Sequence, residues 1–133
     1  MPLLGYPKTG QILMCDFDRG SVPPEMVKRR PVVVVSPSES HSRKLCTVIP
    51  LSSTPPTPAK AWHYALQESP LVSIMGNAQT WAKCDMIYTV SFDRLDKPHR
   101  RTRNGREYVS LKLSPADMAG VIAGVRAYLP LFC

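Results

Sequence analysis

Four consecutive valines, Val32 to Val35, set between Pro31 and Ser36, constrain this chain more than any other feature. Branching at Cβ restricts side-chain rotation in a helix and suits the pleated surface of a sheet. An unbroken apolar run of this length predicts a strand buried on both faces. Around it the chain reads as short strands and turns. Gln11 to Phe17 alternates loosely as a first strand, and Asp18 to Arg29, with Gly20, Pro23 and Pro24, reads as a loop. Pro37 to Ser42 is a polar turn, Lys44 to Leu51 a further strand, and Ser52 to Pro58 a proline-rich loop. Ala61 to Gln67 reads as a strand, Gly76-Asn77 breaks the chain, and Trp81 to Phe92 gives one long strand or two short ones. Asn104-Gly105 signals a hairpin followed by a strand over Tyr108 to Leu113.

One helix is predicted, at the end. Ser114 can cap it, Pro115 suits its first turn, and Asp117 places a negative charge near its N-terminus. Met118, Val121, Ile122, Val125 and Leu129 fall at helical spacing on one face, which is expected to meet the core, and Pro130 ends the helix. Short strands closed by one helix predict a mainly β (α+β) fold, a small barrel or strongly bent sheet. The 133 residues fit one domain, 1–133, large enough to bury a core without staples.

No stretch approaches the roughly 18 apolar residues of a membrane span, and the first residues lack the run and cleavage site of a signal peptide. The expected location is the cytoplasm, with no membrane partner. Cys15, Cys46, Cys84 and Cys133 form no CxxC pair, three of them lying in apolar strand-like runs, so they read as reduced core thiols and no metal site is expected. Seventeen lysines and arginines against ten acids give +7, which favours a polyanionic partner. Nucleic acid is the first candidate, an acidic protein the second, and plain solubility the bland alternative.

No nucleotide-loop or metalloprotease motif is present, and His41, His63 and His99 are scattered. Any catalysis must therefore use carboxylate, hydroxyl and guanidinium groups. Glu25 lies in the first long loop, Arg30 closes that loop, and Ser52, Ser53 and Thr54 follow the next strand. If the two strands pair, these loops approach one another. Such groups suit RNA cleavage by 2′-OH attack on the adjacent phosphorus. A guanidinium fork matches the nonbridging oxygens, a hydroxyl adds a hydrogen bond, and a carboxylate accepts the proton or anchors the arginine. Equally, Arg30 could pair with Glu25 only to close the loop, and Ser52 could be a turn residue. Arg100, Arg101, Arg103 and Arg106 crowd the hairpin, as a solvated turn or a phosphate-attracting one. Trp62, His63 and Tyr64 could stack an unpaired base, although strand aromatics are more often core.

The segments GQILMCDFDRG, EMVKRRPVVVVSP and TVIPLSS resemble the MazF/PemK/Kid toxin family. That family opens on a GDIWxVDFDP-like strand. A loop glutamate then lies five residues before Arg-Pro and a valine run, and a P-[IV]-[TS] segment follows. Here Glu25 precedes Arg30-Pro31 by that step, and Pro50-Leu51-Ser52 matches the later segment. Lys83-Cys84-Asp85-Met86-Ile87-Tyr88-Thr89 resembles the R-C-D-Q-x-R-T of Kid-like members. The resemblance spans most of residues 10 to 95 and implies an SH3-like β-barrel with a C-terminal helix. It implies a homodimer that cleaves single-stranded RNA without metal or cofactor and is silenced by a cognate acidic antitoxin. It implies Arg30 and Ser52 as catalytic residues and Glu25 as a catalytic or site-organising carboxylate, with Lys28, Arg29, Ser53, Lys83 and Asp85 as RNA contacts. Pro24 stands where Kid-like members carry histidine, Lys83 where they carry arginine, and Ser52 where threonine is common. Two rival readings share the fold: a non-catalytic toxin that binds DNA gyrase, and an inactive RNA- or partner-binding barrel.

Overall fold

A computed structural model describes residues 6–18, 20–69, 71–72 and 79–129. Its strands are β1 (Gln11–Asp16), β2 (Arg29–Val34), β3 (Leu45–Ser52), β4 (His63–Ala65), β5 (Trp81–Lys83), β6 (Tyr88–Ser91), β7 (Leu95–Asp96), β8 (His99–Thr102), β9 (Gly105–Tyr108) and β10 (Leu111–Lys112). Helix α1 (Pro115–Tyr128) follows them. The main sheet runs β10-β1-β2-β3-β5-β4, with β7 beside β1 and β6 beside β3. Every ladder is antiparallel.

The valine strand sits at the centre and is covered on both sides. Val32 and Val34 pack with Leu13, Cys15, Phe17, Cys46 and Val48. Val33 packs on the other face with Ile12, Ile49 and Leu51. All three valines are 0% exposed, and each such burial stabilises the fold by about 1.5–3 kcal/mol. β3 makes the sheet curl. Its first half pairs with β6 and its last two residues, Leu51 and Ser52, pair with β5. The result is a mainly β, SH3-like half-barrel with a C-terminal helix, the fold class expected from the sequence.

Several element bounds differ from the sequence reading. The strand expected over residues 61–67 shortens to β4, because only His63 to Ala65 pair with β5. Residues 81–92 form two strands, since β5 serves one end of β3 and β6 the other. The strand expected over Tyr108 to Leu113 is divided, because Tyr108 pairs with His99 whereas Leu111 pairs with Ile12. The hairpin forms, but its two turn residues are Arg103 and Asn104, and Gly105 opens β9 at φ +109°. The Gly76-Asn77 break, Pro130 and Cys133 lie outside the described residues.

The helix is capped as expected, Ser114 Oγ accepting from the Asp117 N–H at 3.1 Å. Its buried residues, however, are Asp117, Val121 and Gly124. Met118 and Val125 pack at the edge of the core, Ile122 is half-buried, and Leu129 lies past the helix end, 43% exposed. Two glycines account for this rotation of the face. A Cβ at Gly120 would overlap the Tyr64 ring, and one at Gly124 would stand 2.7 Å from Cys84 Sγ and 3.1 Å from the Trp62 carbonyl. The missing side chains let the helix lie directly on β4 and β5. Trp62 and Tyr64 belong to this packing, which places them with the core.

Asp117 fastens the contact. Its carboxylate accepts from the Tyr64 hydroxyl at 2.7 Å and from the N–H groups of Gln67 and Glu68 at 2.9 and 3.2 Å. Burial alone would raise its pKa, but these donors and Ser114 outweigh it and hold the carboxyl below its ordinary value. Burial, with the bond to Asp117, pushes Tyr64 up to about 12. Burial likewise pushes the free thiols of Cys15 and Cys84 to about 12 and Cys46 to about 11, consistent with core packing.

Replacing Asp117 by Asn leaves the Glu68 N–H facing a donor. Asp117→Asn should destabilise the fold by about 1.5–3 kcal/mol in chemical denaturation at neutral pH. Because the folded carboxyl is the stronger acid, its contribution is complete above the ordinary value of 3.8 and is lost as pH falls through the lower folded value. The gap between wild type and variant should therefore close on acidification below 3.8. A gap that widens there would contradict this assignment.

Candidate active site

Arg30 enters the sheet opposite Cys15, at the start of β2. The β2–β3 register pairs Val32 with Pro50; continued two residues, it sets Arg30 across from Ser52. On the next ladder Ser52 pairs with Trp81, so Lys83, two residues on, projects from the same face. The curl of β3 thus gathers groups far apart in sequence. Arg30, Ser52, Thr54 and Lys83, with Met26 and Leu51, line one pocket of about 150 Å³.

Two cations and two hydroxyl residues share this pocket, and among the described residues no carboxylate lines it. Arg30 Nε donates to the Val27 carbonyl at 3.2 Å, which orients the guanidinium. Among the described residues neither Arg30 nor Lys83 makes an ion pair. Ser52 Oγ accepts from the Thr54 N–H at 3.1 Å, leaving its hydroxyl hydrogen free to donate. Two half-buried positive charges beside hydroxyl donors are complementary to a phosphate.

The remaining sequence candidates stand elsewhere. Glu25 is exposed, and its Oε1 accepts from the Val22 N–H at 2.7 Å rather than pairing with Arg30. It closes the turn in which the Glu25 N–H donates to the Val22 carbonyl. Lys28, Arg29 and Ser53 are exposed beside the pocket and do not line it. Lys28 has φ +70°, held by its N–H donating to Asp18 Oδ1 at 2.6 Å. Asp85 faces His63, its Oδ1 being 3.8 Å from Nε2. His63 Nδ1 accepts from the Lys60 N–H, so the ring proton is assigned to Nε2, toward Asp85. Among the described residues no group of three or more His, Cys, Asp or Glu gathers.

Sequence reasoning misses two contributors. Thr54, grouped with the two serines in the sequence, does line the pocket, whereas Met26 carries no sequence signal and Tyr88 acts from a distance. The Tyr88 hydroxyl accepts from the Met26 N–H at 2.8 Å, sixty-two residues apart, tying the β1–β2 loop to β6.

Comparison with known proteins gives a family and a fold. Residues 8–129 match the family described as PemK-like, MazF-like toxin of type II toxin–antitoxin system. The uncharacterised protein YifN of Escherichia coli K12 is 30% identical, with 78% of each chain covered. An uncharacterised protein of Haemophilus influenzae is 34% identical, covering 67% of this chain and 68% of its own. Among solved structures, MazF from Deinococcus radiodurans has a TM-score of 0.67 at 20% identity, covering 96% of this chain and 100% of its own. An endoribonuclease in complex with its cognate antitoxin, from a mycobacterial species, has a TM-score of 0.65 at 19% identity, covering 96% and 98%. These structures share the backbone arrangement of this chain.

The Met26–Tyr88 bond can be tested directly. Tyr88→Phe should cost about 1 kcal/mol of stability, and amide exchange at Met26 should accelerate relative to the β2 amides. Equal protection at Met26 in both proteins would show that the loop is held by other contacts.

Proposed function

The chain belongs to the PemK-like, MazF-like family of toxins of type II toxin–antitoxin systems, and from that premise we propose that its Arg30 pocket cleaves single-stranded RNA. The observation that carries the reading is the joint presence of Arg30, Lys83, Ser52 and Thr54 around one small pocket, with no carboxylate among the described residues that line it. In the proposed reaction the 2′-oxygen attacks the adjacent phosphorus and gives up its proton to water. The 5′-oxygen leaves and takes a proton from water, so the downstream fragment carries a 5′-hydroxyl and a 2′,3′-cyclic phosphate remains at the 3′ end of the upstream fragment. Negative charge builds on the nonbridging oxygens during attack. Arg30 and Lys83 stabilise that charge, and Ser52 donates a hydrogen bond to it. The Nε bond to Val27 and the ladder beneath Arg30 hold the guanidinium in place beforehand, so little reorganisation accompanies the reaction.

Glu25 serves this site as a positioning residue. Its carboxylate fixes the turn immediately before Met26, which lines the pocket. Glutamine keeps the accepting oxygen, so Glu25→Gln should retain most activity, whereas Glu25→Ala should lose it through a raised KM. Loss of kcat in Glu25→Gln would instead make the carboxylate a general base.

The reading takes the cleavage to be metal-independent, supported by the cationic pocket and by the lack of a metal-ligand cluster among the described residues. It takes the toxin to be a homodimer, inhibited by an acidic antitoxin segment that competes with RNA for the same cations. Location in the cytoplasm belongs to the same reading; no described helix is long and apolar enough to cross a membrane.

Purified protein incubated with mixed RNA in excess EDTA should give discrete fragments. Arg30→Ala should slow cleavage by about 100-fold or more, a typical cost of removing a transition-state donor. Arg30→Lys should also be poor, because an ammonium cannot hold two oxygens in one plane. Ser52→Ala should cost less, since a neutral hydrogen bond is weaker than a charge-assisted one. Wild-type cleavage by a folded Arg30→Ala would end the proposal, as would activity abolished by EDTA and restored by magnesium.

A further inference from the structure

Between β7 and β10 the chain leaves the main sheet as β8, turns at Arg103-Asn104 and returns as β9. The two strands pair only with each other. Every residue from Arg100 to Tyr108 is exposed. An isolated two-stranded ribbon is marginally stable in water, and this one contains an unfavourable pairing. Its register sets Arg101 directly opposite Arg106, and like charges so placed repel. The ribbon's two faces differ. On one, Arg100 meets Glu107 at 2.9 Å and the charges cancel. On the other, the Arg101–Arg106 pair lies beside His99 and Tyr108, whose rings are 5.8 Å apart. Arg101, Arg103 and Arg106 make no ion pair among the described residues and border a surface hollow of about 320 Å³. At the ribbon's root a second hollow, of about 310 Å³, gathers Lys8, Lys97 and Lys112 around Tyr6 and Ser110. A basic strip with interleaved aromatic rings therefore runs from the turn to the root.

We infer that this ribbon and its root form an RNA-docking arm, which holds single-stranded RNA flanking the bond cut at the Arg30 pocket; the inference rests on the reading of that pocket given above. The unneutralised guanidinium and ammonium groups take successive phosphates. Tyr108, 41% exposed, offers a ring on which an unpaired base stacks. The arrangement favours single-stranded nucleic acid over an acidic polypeptide, for which cations alone would suffice. Strand β1 links the root to the pocket: Gln11 pairs with Lys112 at the root, and Cys15, four residues on, is the register partner of Arg30. Four residues along the strand and two strand spacings across it separate Lys112 from Arg30 by roughly 17 Å, a gap that a single strand of RNA bridges. Binding by the arm is independent of sequence, because phosphates and ring faces carry no base-specific pattern.

The test is fluorescence anisotropy of the full chain with a labelled single-stranded RNA, 2′-O-methylated so that 2′-OH attack cannot occur, titrated over a range of salt. Arg101→Gln with Arg106→Gln should weaken binding about 10-fold. It should also lower the log–log salt slope by about 1.4, at roughly 0.7 for each phosphate left without its arginine. Arg101→Lys with Arg106→Lys should restore the slope. Tyr108→Ala should weaken binding at unchanged slope, and Tyr108→Phe should not. Unchanged affinity and slope in the glutamine double variant, with thermal melting confirming its fold, would overturn the inference. So would a loss confined to a polyglutamate competitor, which would mark the arm as a site for acidic protein. Cleavage of unmethylated RNA by Arg30→Ala separates the two readings. A wild-type rate there removes the pocket assignment whatever the arm does, and a lost rate beside unaltered arm-variant binding removes the arm alone.

Discussion

Burial of the β2 valines on both faces is the constraint from which the rest of this fold follows. A strand with apolar side chains above and below needs two covers. The chain supplies helix α1 on one side and, on the other, Phe17, Met26, Tyr88 and Phe92. Both covers must reach a single central strand, so the sheet curls around it, with β3 shared between two sets of neighbours. The same burial immobilises the first residues of β2. Arg30 inherits that rigidity: its backbone is fixed by the core while its side chain extends into the pocket.

Local signals in the sequence suffice for local structure. The valine run, the Ser114 cap and the hairpin near Asn104-Gly105 each rest on one short stretch, and each forms there, the hairpin with its turn moved back by one residue. What the sequence does not reveal depends on partners distant in the chain. Periodicity marks an apolar helix stripe ending at Leu129, but the contact face is set by Gly120 and Gly124 and by Tyr64, fifty-three residues before Asp117. No hydrophobic pattern identifies a glycine as a point of close packing. Asp117 reads in the sequence as a helix-end charge, and it is also the buried acceptor that joins helix to strand. Residues 108–113 alternate as one strand would, yet their two halves pair with different partners.

The candidate site follows the same division. Arg30 and Ser52 can be set together from the sequence if β2 and β3 are neighbours, and the register supports that placement. Lys83 joins them through β5, a pairing that no local motif announces. Glu25 illustrates the limit of spacing arguments. Five residues separate it from Arg30, but the carboxylate turns back to its own loop at Val22. Thr54 and Met26 line the pocket because their loops fold over it.

The β8–β9 ribbon shares no ladder with the barrel and contributes nothing to either hydrophobic cluster. Its residues can therefore change with little penalty to folding, unlike Arg30 or Ser52, whose backbones are part of the core sheet. Such independence separates two kinds of evolutionary freedom within one small chain. The pocket is confined to variation that preserves the curl, while the ribbon can lengthen, shorten or exchange its charges. Divergence in what related chains hold would then accumulate outside the barrel, at a protrusion whose alteration leaves folding almost untouched.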